Sequence, residues 1–301
     1  MSETREKDGT IDQGSGARTT GRFERAGDAE RAPRQPRAAR RPRIPDWALP
    51  WISIVAVLAL FEFISRAEII SSRNFPPVTD MLSTLWDELG TSQLWEAIGQ
   101  TLQGWALGLG IAAALAIPLG IVIGSSGLLY RSVRVIVEFL RPIPSVALIP
   151  LAILIYGTGL QSKVFLAAFA AFWVLLVQTL YGVQDVDPVA TDTARSFGLS
   201  RTQRLFRVTL PSAIPYIATG IRMASTVALI LAVTAELVIG SAGLGRSINI
   251  ARSGGNVELM YALIIVTGML GWLLNDVFAR VERRVLHWHP SQRSSKELAA
   301  A

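Results

Sequence analysis

The sequence contains no cysteine among its 301 residues, and it contains only two histidines. The absence of cysteine excludes a disulfide framework and any thiolate metal site. His287 and His289 flank Trp288 near the end of the chain, where interfacial anchoring explains them better than metal binding. No glycine-rich run is followed by the Gly-Lys-Ser/Thr of a nucleotide-binding loop. We therefore predict no catalytic residue, no metal and no cofactor in this chain.

Charged side chains are also scarce, at 17% of the residues, whereas hydrophobic residues make up 50%. This balance is too apolar for an ordinary soluble domain of this length. The net charge is +6, and the basic residues cluster at the two ends and beside apolar runs. The positive-inside rule explains that distribution better than nucleic-acid binding does. The composition therefore predicts an integral membrane protein that contacts lipid and no nucleic acid.

Six apolar segments are each long enough for the roughly 20 residues of a helical membrane crossing. Between them, residues 66–96 are acidic and residues 184–215 are rich in arginine, which places the first loop outside and the second inside. With six crossings, both termini are expected in the cytoplasm. The predicted spans are approximately residues 47–65, 94–124, 133–156, 163–183, 216–240 and 257–281.

Small residues recur every four positions in the second span, at Gly104 and Gly108 and again at Gly120 and Gly124. In lipid, small residues at this spacing let two helices approach each other closely. We therefore predict that this face of the second span packs directly against another helix, and we assign no chemistry to it.

Polar and ionisable side chains within the spans are candidates for a transport pathway, because charges at membrane depth face the bundle interior or an aqueous cavity. Glu138 and Arg141 are three residues apart, so they could pair on one helix face. The fifth span carries an alanine stripe at positions 224, 228 and 232, which favours a subunit or pathway contact. The candidate pathway residues are Glu138, Arg141, Arg222, Ser225 and Glu236.

The polar stretch between the fourth and fifth spans contains the start and stop signals of a short helix. Asp187 can cap a helix that has Pro188 at its first position, where a missing N–H is harmless. Gly198 can end that helix, because glycine accepts the left-handed conformation. A loop with such signals is expected to hold a defined shape.

A second short helix is predicted to follow in the same loop. Ser200 with Gln203 three residues later forms the pattern of a capping box. Pro211 and Pro215 are expected to stop this helix and lead into the next span. The helix pair could lie on the bilayer as an amphipathic surface element, or it could dock on a partner protein.

This loop resembles the cytoplasmic motif of the inner-membrane permeases of bacterial ABC importers. That motif is Glu-Ala-Ala, three residues, Gly, nine residues, Ile, one residue, Leu-Pro. The chain has the same spacing, with Asp for Glu, Thr for the first Ala and Val208 for Ile. In the family, the loop forms coupling helices that fit a groove on the ATPase. The resemblance implies ATPase-coupling roles for Asp192, Thr193, Ala194, Arg195, Gly198, Leu210 and Pro211.

The resemblance covers about residues 50–290, and it includes a proline break at residues 141–144 and a Trp-x-Pro ending typical of the sulfonate, taurine and nitrate branch. It implies an all-α, type I importer permease fold with six transmembrane helices in the bacterial inner membrane. It also implies a homodimer, two cytoplasmic ATPase subunits that hold ATP and Mg²⁺, and an extracytoplasmic solute-binding protein. The implied substrate is a small anion of the sulfonate, taurine or nitrate type.

The predicted organisation has a basic, disordered cytoplasmic tail at residues 1–46, then the first span and an outer segment at 47–93. Residues 94–285 form the permease domain, with the coupling loop at 184–215, and residues 286–301 form a second cytoplasmic tail. The competing class is a stand-alone secondary transporter or channel. Such a protein would need intramembrane carboxylates or histidines for ion coupling, often with an inverted repeat. No such repeat is apparent, and the acidic residues of the spans are scattered.

Overall fold

The computed structural model describes residues 48–69, 71 and 74–286, which contain helices and no strand. The predicted tail at residues 1–46 lies outside the described residues, as do residues 287–301 of the predicted tail at 286–301, with both histidines. By its contacts the chain divides into residues 1–50 and residues 51–301. The α-helices are α1 Ala48–Arg66, α2 Val78–Leu89, α3 Ser92–Gly124, α4 Gly127–Leu140, α5 Ile149–Tyr156, α6 Leu160–Gln184, α7 Pro188–Ser196, α8 Arg201–Arg204, α9 Leu210–Ile239, α10 Leu244–Ser253 and α11 Val257–Val285.

Four helical segments of the described chain are long and apolar enough to cross a membrane, and a bent pair makes a fifth. The first predicted span, residues 47–65, corresponds to α1, whose 19 residues approach the roughly 20 that a crossing needs. The four segments are Ser92–Gly124, Leu160–Gln184, Arg201–Ile239 and Val257–Val285, and the bent pair is Gly127–Leu140 with Ser145–Tyr156.

The break predicted in the third span is confirmed, because the two halves of that pair meet at 79°. Pro142 and Pro144 lie between the halves, where they cannot donate helical hydrogen bonds. The expected pairing of Glu138 with Arg141 is wrong. Glu138 instead accepts from Arg134, 2.6 Å away and one turn earlier. Arg141 is the C-cap of α4.

The close packing predicted for the glycines of the second span is confirmed. Gly104, Gly108 and Gly120 are buried in α3, on the face that meets α6. A Cβ atom added at Gly108 would lie 2.6 Å from the Cβ of Ala167, and one at Gly120 would lie 2.7 Å from the Cβ of Thr179. The two helices can therefore approach this closely only because these positions lack a side chain.

The alanine stripe of α9 does not form the predicted subunit or pathway contact, because other helices of the same chain cover it. Ala224, Ala228 and Ala232 have no exposed surface, and they belong to one apolar cluster with residues of α3 and α6. The prediction of an external contact is therefore wrong for this stripe. Its small side chains allow three long helices to pack around a common core.

Candidate functional site

The first short helix of the predicted coupling loop is α7, and its predicted start and end are confirmed. The amide of Val189 donates to Oδ1 of Asp187 at 2.8 Å, with Pro188 at the first helical position. Gly198 has φ of 77°. Its amide donates to the carbonyl of Arg195 at 2.9 Å. This arrangement is a glycine-dependent helix end that satisfies carbonyls of the last turn.

The capping box of α8 is also confirmed. The amide of Gln203 donates to Oγ of Ser200 at 3.3 Å, and Oε1 of Gln203 accepts from the amide of Ser200 at 2.9 Å. The expectation that Pro211 and Pro215 stop this helix is wrong. After α8 the chain makes a π-helical turn, Leu205–Thr209, and continues directly into α9. The π-helical turn immediately precedes Pro211, which lies in the first turn of α9, and the helix also continues through Pro215.

The surface of this loop combines apolar and charged side chains. Phe197 is 80% exposed, and Val189 and Phe206 are also mostly exposed. Beside them, Arg195 donates to Asp192 at 3.2 Å in an ion pair that is open to solvent. Exposed phenylalanines on an otherwise polar loop indicate a surface that contacts another apolar surface.

The seven predicted coupling residues occupy two kinds of position. Ala194 is buried and Leu210 is half-buried, so these two hold the loop against the bundle. The other five residues are exposed, so a partner could reach them: Asp192, Thr193, Arg195, Gly198 and Pro211.

The five predicted pathway residues lie in different environments. Glu138 and Arg141 line the same small cavity, of about 90 Å³, beside α4. Arg222 pairs across helices with Glu282 of α11 at 3.1 Å. Ser225 is buried, and its carbonyl accepts from the indole N–H of Trp105 at 3.0 Å. Their role in a pathway stays a prediction.

Glu236, the fifth pathway candidate, is completely buried, and it pairs with a residue that the sequence did not single out. Nζ of Lys163 in α6 lies 2.8 Å from Oε1 of Glu236, with the two side chains 2% and 0% exposed. The available signal was one lysine at the start of an apolar span and one glutamate near the end of another. Because 73 residues separate them, no local spacing rule connects the two.

Comparison with known proteins places these features in a family. Residues 116–287 match the family model described as binding-protein-dependent transport system inner membrane component. The chain is 31% identical to the taurine transport system permease protein TauC of Escherichia coli (strain K12), over 79% of this chain and 88% of that protein. It is 30% identical to the nitrate import permease protein NrtB of Leptolyngbya laminosa, over 78% and 86%. It is 28% identical to the putative aliphatic sulfonates transport permease protein SsuC of E. coli K12, over 82% and 95%.

Solved structures show the same fold at lower sequence identity. One is an inward-facing structure of the MetNI methionine ABC transporter, with a TM-score of 0.58, 21% identity, and coverage of 66% of this chain and 98% of that chain. Another is an amino acid ABC transporter with histidines, with a TM-score of 0.57, 20% identity, and coverage of 68% and 98%. These likenesses concern the arrangement of helices.

Proposed function

The chain belongs to the family of binding-protein-dependent transport system inner membrane components, and we propose that two copies of it form the pathway for a small anion. It is a permease subunit of an ABC importer, a multi-pass protein of the inner membrane that works with an ATPase and a solute-binding protein. The alternative of a stand-alone secondary transporter or channel is not favoured, because the chain matches most of the length of relatives that are named as transport permeases.

Our proposal for coupling is that residues 184–215, within a transport domain at 94–285, dock on the cytoplasmic ATPase, which binds ATP and Mg²⁺ and hydrolyses the nucleotide. The observation that carries it is the capped helix α7, which exposes the Asp192–Arg195 ion pair and, at its end, Phe197. The arginines of this loop favour a cytoplasmic location. Both termini would then lie in the cytoplasm.

The proposed homodimer follows from the single coupling loop in each chain. In an importer whose two ATPase subunits act together, two loops are needed, and two copies of this chain supply them. Native mass measurement of the complex purified through this 32.6 kDa chain should show two copies of it with two ATPase subunits. A complex with one copy and a different permease chain would contradict the homodimer.

The proposed substrate is an anion of the sulfonate, taurine or nitrate type, supported by the names of the relatives TauC, NrtB and SsuC. The cognate solute-binding protein provides the direct test. Its thermal unfolding should be measured with taurine, ethanesulfonate and nitrate, with the doubly charged sulfate and the carboxylate zwitterion glycine as controls. Uptake into proteoliposomes should then occur for the same compound and require ATP. Stabilisation by glycine alone, or uptake without ATP, would contradict the proposal.

A further inference from the structure

The Lys163–Glu236 ion pair belongs to a hydrogen-bonded network that joins three helices and one loop. The three protons of the lysine ammonium match three acceptors: Oε1 of Glu236, the carbonyl of Gln100 in α3 and the carbonyl of Ala242, each at 2.8 Å. The network lies where α3 and α6 begin and α9 ends, so it is at the end of the bundle opposite the loop 184–215.

The second oxygen of Glu236 holds the chain that follows α9. Oε2 accepts from the hydroxyl of Thr101 at 2.9 Å and from the amide of Gly245 at 3.0 Å. The hydroxyl of Thr101 also accepts from the amide of Leu244 at 2.9 Å. With the bond from Lys163 to the carbonyl of Ala242, the loop formed by residues 240–245 is fixed at three backbone positions.

The glycines of this loop allow the carboxylate of Glu236 to lie directly against the backbone of the loop. Gly243 has φ of 147°, and a Cβ atom there would lie only 2.1 Å from Oε1 of Glu236. A Cβ atom at Gly245 would lie 2.7 Å from the Cβ of Glu236. On α3, a Cβ atom at Gly104 would collide with the side chain of Lys163. The backbone is therefore shaped around the ion pair, on both of its sides.

A buried ion pair is a poor device for stability alone. Removing two charges from water is so unfavourable that well-packed apolar residues often serve equally well or better. Buried pairs are better attested as devices that select one arrangement of the chain over others. Here the arrangement selected is that of loop 240–245 on the end of α9.

The same helix reaches the predicted coupling surface. α8, the π-helical turn and α9 run without interruption from Arg201 to Ile239. At about 1.5 Å per residue, the helix axis from Arg204 to Glu236 spans roughly 50 Å. A rigid element that contacts both ends of the bundle can carry a displacement from one end to the other.

We propose that Lys163 and Glu236 are positioning residues that tie loop 240–245 to the end of α9. Movement of the coupling loop by the ATPase then moves this loop on the opposite face of the membrane protein. The inference rests on the proposed docking of residues 184–215 on the ATPase. Neither residue contacts the transported anion in this role. The pair transmits the position of α9 to the loop through hydrogen bonds to Ala242 and Gly245.

Hydrogen–deuterium exchange of the complete complex in nanodiscs tests the proposal. Exchange is measured in peptides that cover residues 201–209 and 240–245, with and without ATP, Mg²⁺ and vanadate. In the wild-type complex, the nucleotide should change exchange in both peptides. If neither peptide responds, the proposed docking on the ATPase fails. If residues 201–209 respond and residues 240–245 do not, the docking stands and the positioning role is overturned.

Two variants separate transmission from simple folding. In Lys163→Met/Glu236→Leu, an apolar pair replaces the ion pair, so the bundle is expected to remain folded. Its peptide 201–209 should still respond to nucleotide, and its peptide 240–245 should lose the response. Retention of both responses would overturn the proposal. Arg66→Met is the control, because it removes an exposed ion pair with Glu62 that lies within α1, and it should behave as wild type.

Discussion

The amide of Leu199 donates to the carbonyl of Ala194 at 3.1 Å, and this bond closes the end of α7 around Gly198. Ala194 is buried and Leu199 is half-buried, so the same contact fixes the end of the helix and attaches it to the bundle. The exposed residues of α7 are consequently presented by a rigid support. A loop that must transmit a force needs such a support, and an amphipathic surface element does not.

The contribution of the N-cap to the stability of α7 should be measurable by substitution of Asp187. Asp187→Ala removes the acceptor of the Val189 amide, which destabilises a helix by about 1 kcal/mol. Amide exchange in residues 188–196 should then become about fivefold faster. Asp187→Asn is the matched control, because asparagine is an equally good N-cap. Equal exchange in the alanine and asparagine variants would show that the cap does not hold this helix.

The glycine face between α3 and α6 should tolerate no side chain. Gly108→Ala places a methyl group 2.6 Å from the Cβ of Ala167, and overpacking of this kind destabilises by about 1–3 kcal/mol. Gly110→Ala is the control in the same helix, because a Cβ atom there has no neighbour within 4 Å. Thermal unfolding in detergent should occur at a lower temperature for Gly108→Ala only. Equal midpoints for the two variants would contradict the close approach of these helices.

The proposed topology can be tested with single cysteines, since the chain has none of its own. Asp87 of α2 and Thr202 of α8 both have exposed side chains. In intact cells, a membrane-impermeant maleimide should label Asp87→Cys and leave Thr202→Cys unlabelled, and permeabilised cells should show labelling of both. Labelling of Thr202→Cys alone in intact cells would invert the orientation of the whole bundle.

Local signals in the sequence were sufficient for both ends of α7 and for the start of α8. The caps at Asp187, Gly198 and Ser200 depend on residues within five positions of one another, so spacing alone identifies them. The glycine pairs of α3 were equally informative, because period four on an apolar helix defines a packing face. Spacing could not decide whether Arg134 or Arg141 is the partner of Glu138, because both lie about one helical turn from it.

Long-range relationships could not be predicted in this way. The alanine stripe of α9 defines a flat face, but only the tertiary structure shows that α3 and α6 cover it. Likewise, Lys163 and Glu236 meet because α6 and α9 pack along each other with the start of α6 beside the end of α9. The continuity of α8 with α9 was obscured by Pro211, whose effect on a helix depends on the π-helical turn that precedes it.

The central claim is that the loop formed by residues 184–215 binds the ATPase, and Gly198 permits a matched test of it. Gly198 and Gly255 have φ of 77° and 73°, and a Cβ atom at either would have no neighbour within 4 Å. At both positions the glycine amide donates to the carbonyl three residues earlier, and the next amide donates to the carbonyl five residues earlier. Valine therefore imposes similar backbone strain at both positions, of about 1–2 kcal/mol. Gly255 precedes α11 at the opposite end of the bundle, so only Gly198 lies on the proposed docking surface.

The most direct measurement is the recovery of the ATPase subunit with affinity-purified permease, at equal permease abundance, for wild type, Gly198→Val and Gly255→Val. We expect all three chains to insert into the membrane, because neither substitution lies within a span. Gly198→Val should recover much less ATPase and support little uptake, whereas Gly255→Val should recover as much ATPase as wild type. Full recovery of the ATPase by Gly198→Val would contradict the account.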